Sequence, residues 1–330
     1  MRLILGKGTV NHIKSILGPT RKCYTTSSAN TVFVEDLNFV PPTDSATSDD
    51  IQRLQDFVHA SKRLLVITGA GLSTESGLPD YRSVKSPPQA GKDRPVIGPV
   101  MYQDFVKNTH VRRGNWARNY VGWPGFSSHR PNVSHRALVQ WERRGKLHWL
   151  VTQNVDDLHR KAGSKKMTEL HGSAFRAACL SCKHVVPRSE LQQVISDMNP
   201  HWDAVPFEIR PDADVALTPE QIEGFRAPHC GKCGGPLKPD MVYFGECVPR
   251  DTVQLVFDKL EESDSVLVAG SSLHVCKSSS MVYSAYRFVS AAHKQNKPVA
   301  ILNIGPTRAD KLAGLKINSR CGEVLTKLEI

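Results

Sequence analysis

Four short apolar runs recur along the chain: Leu64-Leu65-Val66-Ile67, Leu147–Thr152, Val266–Ala269 and Val299–Leu302. None alternates polar with apolar positions over its length, so both faces are expected to be buried, as in a parallel sheet. Stretches with helical spacing lie between them. Ser48 and Asp49 are placed to cap a helix over about 50–61, with Ile51, Leu54, Phe57 and Val58 on one face. Trp116 to Tyr120 reads as helical and Gly122-Trp123-Pro124-Gly125 as its break. Ser134 is placed to cap a helix with Ala137, Leu138 and Trp141 inward and Gly145 as its stop. A short strand is expected over 240–245 and helices over 249–262 and 280–296. Strands alternating with helices predict an α/β fold, a Rossmann-like parallel sheet with helices on both faces.

The loops that leave these strands carry the polar chemistry. The first strand runs into Gly69, Ala70, Gly71, Ser73, Thr74, Glu75, Pro79, Asp80, Tyr81 and Arg82. Glycines there permit a tight turn and a close phosphate, and Arg82 is the cation to complete such a site. The third glycine, Gly77, falls too late for the usual dinucleotide spacing, and Asp93 is the only acid near 90–95. An ordinary dehydrogenase is therefore disfavoured, and a bare βα turn without ligand is the competing reading. The other strands deliver Gln153, Asn154, Val155 and Asp156, then Gly270, Ser271 and Ser272, then Asn303, Ile304 and Gly305, to the carboxyl edge where open α/β sheets bind ligands. The four prolines in 83–99 exclude a regular helix, and this segment is read as a lid over the cofactor.

Periodicity fades over 176–238, where Cys, Pro, Gly and polar residues take over. Cys179, Cys182, Cys230 and Cys233 form two Cys-x-x-Cys pairs, which can hold one tetrahedral zinc with no open coordination position. The metal would then be structural, stapling a segment with little core of its own; two redox dithiols are the alternative. The expected organisation is 49–175 and 239–330 as the sheet domain with its cofactor-binding loop, and 176–238 as a small inserted zinc-binding module. His171 sits before that module, where an imidazole is suited to act as general base on a sugar hydroxyl.

Charge changes the picture only at the start. The chain carries +11, and residues 1–24 hold five basic and no acidic residues. Apolar positions among them give an amphipathic mitochondrial presequence, followed by a linker over 25–48 rich in Thr, Ser, Pro and Asn. The remaining positive charge lacks an aromatic-interleaved basic motif, so no nucleic-acid partner is expected. No apolar run approaches the roughly 18–20 residues of a bilayer span, so no membrane partner is expected.

Gly69–Arg82, Thr152–Asp156 with Leu158-His159, His171-Gly172, the four cysteines, Lys238–Glu246, Gly270–Leu273 and Asn303–Gly305 occur together in order over roughly 50–328. In this the chain resembles the sirtuins, NAD-dependent protein-lysine deacylases, and is nearest to a mitochondrial class II branch through Trp116–Pro124 and Asn303–Arg308. The resemblance implies NAD as a consumed co-substrate and one structural zinc. It implies that Ala70, Gly71 and Arg82 contact the pyrophosphate, and that Gln153 and Asn154 lie by the nicotinamide ribose. Asp156 would hold the carboxamide, Ser271 and Ser272 the phosphate or ribose, and Asn303 the adenosine ribose. Cys321 would lie against adenine, and His171 would be the general base. An acyl-lysine protein, expected to be a metabolic enzyme of the mitochondrial matrix, would add as a strand between Val242–Glu246 and the segment after Ser272.

Besides Tyr81, which stands where most sirtuins have Phe, three features depart from the family. Asp157 replaces a small residue, and its charge beside Asp156 is expected to raise a carboxylate pKa. Residues 83–95 lack the Tyr-x-x-Arg pair with which some sirtuins bind acidic acyl groups, which leaves neutral groups such as lipoyl or biotinyl. About six extra residues at 276–281 fall beside the expected cofactor and peptide sites. Protein ADP-ribosylation from the same site, and a catalytically weak NAD-binding regulator, are the alternatives to deacylation.

Overall fold

A computed structural model describes residues 37–80, 99–274 and 285–330. The presequence, most of the expected linker, Tyr81, Arg82, nearly all of the expected lid and the 276–281 insertion lie outside the described residues. The four apolar runs form strands, joined by two that the pattern did not reveal. The central sheet consists of β1 (Leu64–Thr68), β2 (Leu147–Thr152), β3 (Met167–Glu169), β9 (Ser265–Ala269), β10 (Val299–Leu302) and β11 (Leu315–Ile317). Their order is β11-β10-β9-β1-β2-β3, and every neighbouring pair is parallel. A second sheet joins β4 (Gly172–Cys179), β5 (Val185–Pro187) and β8 (Leu237–Met241), and β6 (Glu208–Ile209) pairs with β7 (Val215–Ala216).

Alternation along β1 sends side chains into two separate cores, because successive strand residues face opposite ways. Leu64 and Val66 pack with Leu54 and Val58 of α1 (Ser48–Ala60) and with Leu138 and Trp141 of α5 (Val133–Arg143). Leu65 and Ile67 pack with Val256 and Leu260 of α9 (Arg250–Glu261) and with Phe288, Val289 and Ala292 of α10 (Tyr286–Lys294). Helices on both faces and a parallel sheet between them match the expected class.

Several boundaries differ from the sequence reading. Helix α1 is capped by Thr47 in a capping box with Asp50, and α5 by Asn132, which accepts from Ser134 and His135. Gly122–Gly125 does not break its helix, which runs from Thr109 to Ser127 with Pro124 inside. Proline removes the N–H that would serve the Tyr120 carbonyl. Gln192 Nε2 donates to that carbonyl at 3.1 Å instead. The second sheet's last strand is Leu237–Met241 rather than 240–245. Nor is the 176–238 segment poor in core. Leu191 and Ile195 of the helix Arg188–Met198 pack with Trp116, Ala177, Val215, Leu217, Phe225 and Leu237.

Two buried histidines sit beneath the first loop. His135 completes the Asn132 capping box, His159 Nε2 shares a 3.0 Å hydrogen bond with Thr68 Oγ1, and the rings are 4.7 Å apart. Burial holds both pKa values down, that of His159 to about 3. Unfolded histidine titrates near ~6.5, so below that pH the unfolded chain takes up protons that these buried rings refuse. Stability is therefore predicted to fall as pH drops below about 6.5, by up to about 1.4 kcal/mol per pH unit for each ring, with the His159 contribution ending near 3. Urea unfolding at pH 7 and pH 5 measures the slope, and a folded His159→Gln variant is expected to reduce it by one proton.

Candidate active site

The carboxyl ends of β1, β2 and β9 are adjacent, so the loops leaving them meet. The meeting is tight. An added Cβ on Gly71 would lie 2.9 Å from the Gly270 carbonyl oxygen. On Gly270, whose φ is +63°, it would lie 2.3 Å from Leu72 N. The glycines thus let two backbones touch, a role beyond the phosphate approach read from the sequence.

Side chains lock this contact. Gln153 Nε2 donates to Ser271 Oγ at 2.7 Å and to the Thr68 carbonyl at 3.2 Å. Asn154 Nδ2 donates to the Gly69 carbonyl and to Ser73 Oγ, both at 3.0 Å. Ser73 Oγ in turn donates to Asp156 Oδ2 at 2.6 Å, and Leu158 N–H to Asp156 Oδ1 at 2.9 Å. Burial raises the Asp156 pKa against these two hydrogen bonds. The like-charge effect expected of the Asp156–Asp157 pair falls on Asp157, where Asp156 adds to burial and Glu169 in raising the pKa, and not on Asp156. The Asp157 carboxylate pairs with Arg160 Nε at 3.2 Å. His171 Nδ1 donates to the Gln153 carbonyl at 3.0 Å, which ties the imidazole to the same loop.

A cleft opens beside this network. Gly71, Thr74, Glu75, Asp80, Gly270, Asn303, Ile304 and Cys321 line it, all singled out from the sequence. Glu75 Oε1 accepts from Gly322 N–H at 2.9 Å, joining the first loop to the helix Cys321–Leu325. Burial, with Glu75 nearby, pushes the Cys321 thiol up, so it presents a neutral, unreactive surface. Within the cleft, Asn303 and the buried carboxylates of Glu75 and Asp80 suit hydroxyl groups such as those of a ribose, and the space free in this structure is about 20 Å³, far smaller than a dinucleotide. Gly305 N–H donates to Asn318 Oδ1 at 2.6 Å, while Ser272 O accepts from Arg308 N–H at 2.9 Å. Val155 belongs instead to a hydrophobic cluster with Leu78, Trp123, Phe126 and Leu158.

Sequence reasoning missed four cleft residues. Val40 and Pro41 come from the expected linker, and Ser319 and Arg320 precede the last helix. It also missed the turn at Asp212 and Ala213, two non-glycine residues at φ +60° and +62°. Ala213 packs in the Val155 cluster, and burial, then Asp214, pushes the Asp212 carboxyl up to about 7.

The metal centre lies in the second sheet's module. The sulfurs of Cys179, Cys182, Cys230 and Cys233 all lie within 4.8 Å of one another. Cys179 and Cys233 are 3.5 Å apart, and Cys182 and Cys230 are 3.7 Å apart. A tetrahedron of sulfurs at about 2.3 Å from zinc has edges of about 3.8 Å, so the donor set and its spacing fit a structural zinc. The Cys182 N–H points to Cys179 Sγ at 3.5 Å and, as the largest influence, lowers that thiol to about 6. No helix among the described residues is long and apolar enough to cross a membrane.

The Sir2 family pattern matches residues 69–277. The chain belongs to the Sir2 family, whose members use NAD as co-substrate. It is 52% identical to "NAD-dependent protein lipoamidase sirtuin-4, mitochondrial" of Bos taurus, over 88% of this chain and 89% of the relative. It is 46% identical to "NAD-dependent protein deacylase Sirt4" of Drosophila melanogaster, over 88% and 90%. A solved Sir2 enzyme at 28% identity superposes with a TM-score of 0.60 over 85% of this chain and 96% of the other. A structure of "Sir2 bound to acetylated peptide", at 23% identity, shares the fold with a TM-score of 0.60 over 84% and 96%.

Two variants test the site. Gly270→Ala is predicted to cost about 2–3 kcal/mol, because a side chain there meets the Leu72 backbone at positive φ. It should also abolish the rise in melting temperature that NAD gives the unaltered chain. Cys233→Ser is predicted to take bound zinc from one ion per chain to none by metal analysis. It should cost several kcal/mol in thermal unfolding, since zinc binding is coupled to folding.

Proposed function

We propose that this chain removes neutral acyl groups, lipoyl or biotinyl among them, from protein lysines. NAD is consumed, and nicotinamide and O-acyl-ADP-ribose are released. The observation that carries the reading is the 3.0 Å bond from His171 Nδ1 to the Gln153 carbonyl. A carbonyl only accepts, so Nδ1 holds the proton and Nε2 of the neutral ring has the basic lone pair. The imidazole is thereby fixed to the loop that supplies Gln153, Asn154 and Asp156.

In this mechanism the acyl carbonyl oxygen attacks C1′ of the nicotinamide ribose and nicotinamide leaves. His171 takes the proton of a ribose hydroxyl as that oxygen attacks the acyl carbon, and water then releases lysine. Asp156 holds the carboxamide, while Gln153 and Asn154 orient the ribose. Ala70 and Gly71, with Arg82, are assigned to the pyrophosphate, Tyr81 to shielding the reactive ribose, and Ser73, Thr74, Glu75, Pro79 and Asp80 to the same cofactor loop; Tyr81 and Arg82 lie outside the described residues. Ser271, Ser272, Asn303, Ile304, Gly305 and Cys321 receive the adenosine half. The substrate backbone adds alongside Val242–Glu246. Val242 N–H donates to the His171 carbonyl at 2.9 Å, and the Phe244 carbonyl accepts from Tyr102 N–H at 2.8 Å. Main-chain pairing gives affinity there with little demand on sequence.

Absence of a Tyr-x-x-Arg pair in 83–95 supports neutral acyl groups, and the name of the mammalian relatives supports lipoyl. The basic, acid-free residues 1–24 and the mitochondrial relatives support a mitochondrial location, and we assign the matrix and its metabolic enzymes as the setting. Residues 176–238 act as a zinc-stapled module carried by the sheet domain of 49–175 and 239–330.

A panel of acyl-lysine peptides with NAD tests the proposal. Lipoyl- and biotinyl-lysine are expected to give nicotinamide and O-acyl-ADP-ribose in equal amounts, ahead of succinyl-lysine. His171→Tyr is expected to lower this by about 10²–10⁴-fold. Full turnover by that variant would remove the base assignment. Label from NAD retained on protein, without free lysine, would instead favour ADP-ribosylation.

A further inference from the structure

Asp157, Arg160, Glu169, Arg176 and Asp240 form one ladder of alternating charge. Asp157 Oδ1 meets Arg160 Nε at 3.2 Å, and Arg160 meets Glu169 Oε1 at 3.2 Å. Glu169 Oε2 meets Arg176 at 3.0 Å, and Arg176 Nε meets Asp240 Oδ2 at 2.9 Å. Five elements are joined: the loop after β2, the helix Leu158–Ala162, the end of β3, β4 and β8.

Along the chain, His171 falls between two members of this ladder, Glu169 and Arg176. The Glu169–Arg176 pair closes a clasp across the segment 169–176, with His171 near its start. The residue after the histidine, Gly172, has φ +75°, and an added Cβ would stand 2.1 Å from the Asp240 carbonyl oxygen. The Gly172 backbone therefore lies close against the backbone of Asp240, whose carboxylate holds Arg176. At the other end Asp157 adjoins Asp156. The ladder thus spans from the cofactor side to the strand edge at Val242. Glu169 is its hub, accepting from two guanidinium groups while only 10% exposed, whereas Arg160 is 54% exposed. Exposed pairs contribute little to stability, so fixing geometry is the larger effect of the outer rungs.

We infer that Glu169 is a positioning residue for His171, acting through this ladder to hold the imidazole in register with both the cofactor loop and the substrate strand. The inference rests on His171 being the base. Base-dependent acyl transfer follows nicotinamide departure, so the two steps are separable. Exchange of labelled nicotinamide into NAD, dependent on an acyl-lysine peptide, reports the first step. O-acyl-ADP-ribose formation reports the second.

The test uses the full chain with a lipoyl-lysine peptide. In Glu169→Gln, exchange should stay within about twofold and KM for NAD should be unchanged, while O-acyl-ADP-ribose formation falls about tenfold. Glu169→Asp should recover part of the loss. Arg176→Gln should match Glu169→Gln, and the double variant should be no worse than either single one. If Glu169→Gln does not fold, Arg160→Gln and Asp240→Asn remove the outer rungs and should likewise lower product formation more than exchange. An unchanged ratio of product formation to exchange in the folded variants, with the unaltered chain active, overturns the inference alone. Absence of peptide-dependent nicotinamide release from the unaltered chain overturns the deacylase reading and this inference with it.

Discussion

Everything at the carboxyl edge of the sheet depends on one close approach, that of the backbone after β1 to the backbone after β9. Neighbouring strands of a sheet are only about 4.8 Å apart, and loops leaving two such strands on the same side must diverge or collide. Here they touch, because neither Gly71 nor Gly270 has a Cβ to keep them apart. Ser271 is thereby brought within 2.7 Å of Gln153 Nε2, and through Gln153 the contact reaches His171. The cleft lined by Gly71 and Gly270 and the anchoring of the His171 ring both depend on that one contact.

The polar network around it has a consistent logic. Asn154, Ser73 and Asp156 satisfy one another in a setting where a buried carboxylate alone would be costly. Their hydrogen bonds hold each group in one orientation before a ligand arrives, which reduces the reorganisation needed when charge develops. The zinc module works on a coarser scale. Its sulfurs close the end of β4, and β4 continues from Gly172, next to the histidine. A zinc held by these sulfurs would fix the Cys179 end of β4, and the Glu169–Arg176 ion pair spans the segment that contains His171.

Much of this was legible in the sequence. Uniformly apolar runs identified β1, β2, β9 and β10 because a strand buried on both faces tolerates few polar residues. The Cys-x-x-Cys pairs read directly as a metal site because ligand spacing is local. β11 was not legible: Leu315-Lys316-Ile317 is short, at the sheet edge, and carries a lysine. The continuation of a helix through Pro124 depended on a hydrogen bond from Gln192, remote in sequence. Ser319, Arg320, Val40 and Pro41 reach the cleft only through tertiary packing, with no motif to mark them. The αL pair Asp212-Ala213 lacks the glycine that usually signals such a turn. The ion pair of Arg176 with Asp240 likewise joins positions whose proximity only the folded chain defines.

The central claim is that the acyl carbonyl oxygen attacks the ribose of NAD and that the acyl group is then transferred to that ribose. Its most direct test is turnover of a lipoyl-lysine peptide carrying oxygen-18 in the acyl carbonyl, followed by mass spectrometry of the separated product halves. The account predicts that the heavy oxygen is recovered in the ADP-ribose half of O-acyl-ADP-ribose, while the acyl half acquires its oxygen from solvent. Heavy oxygen retained wholly in the released acyl group, with none in ADP-ribose, would mean direct hydrolysis of the amide and would contradict it.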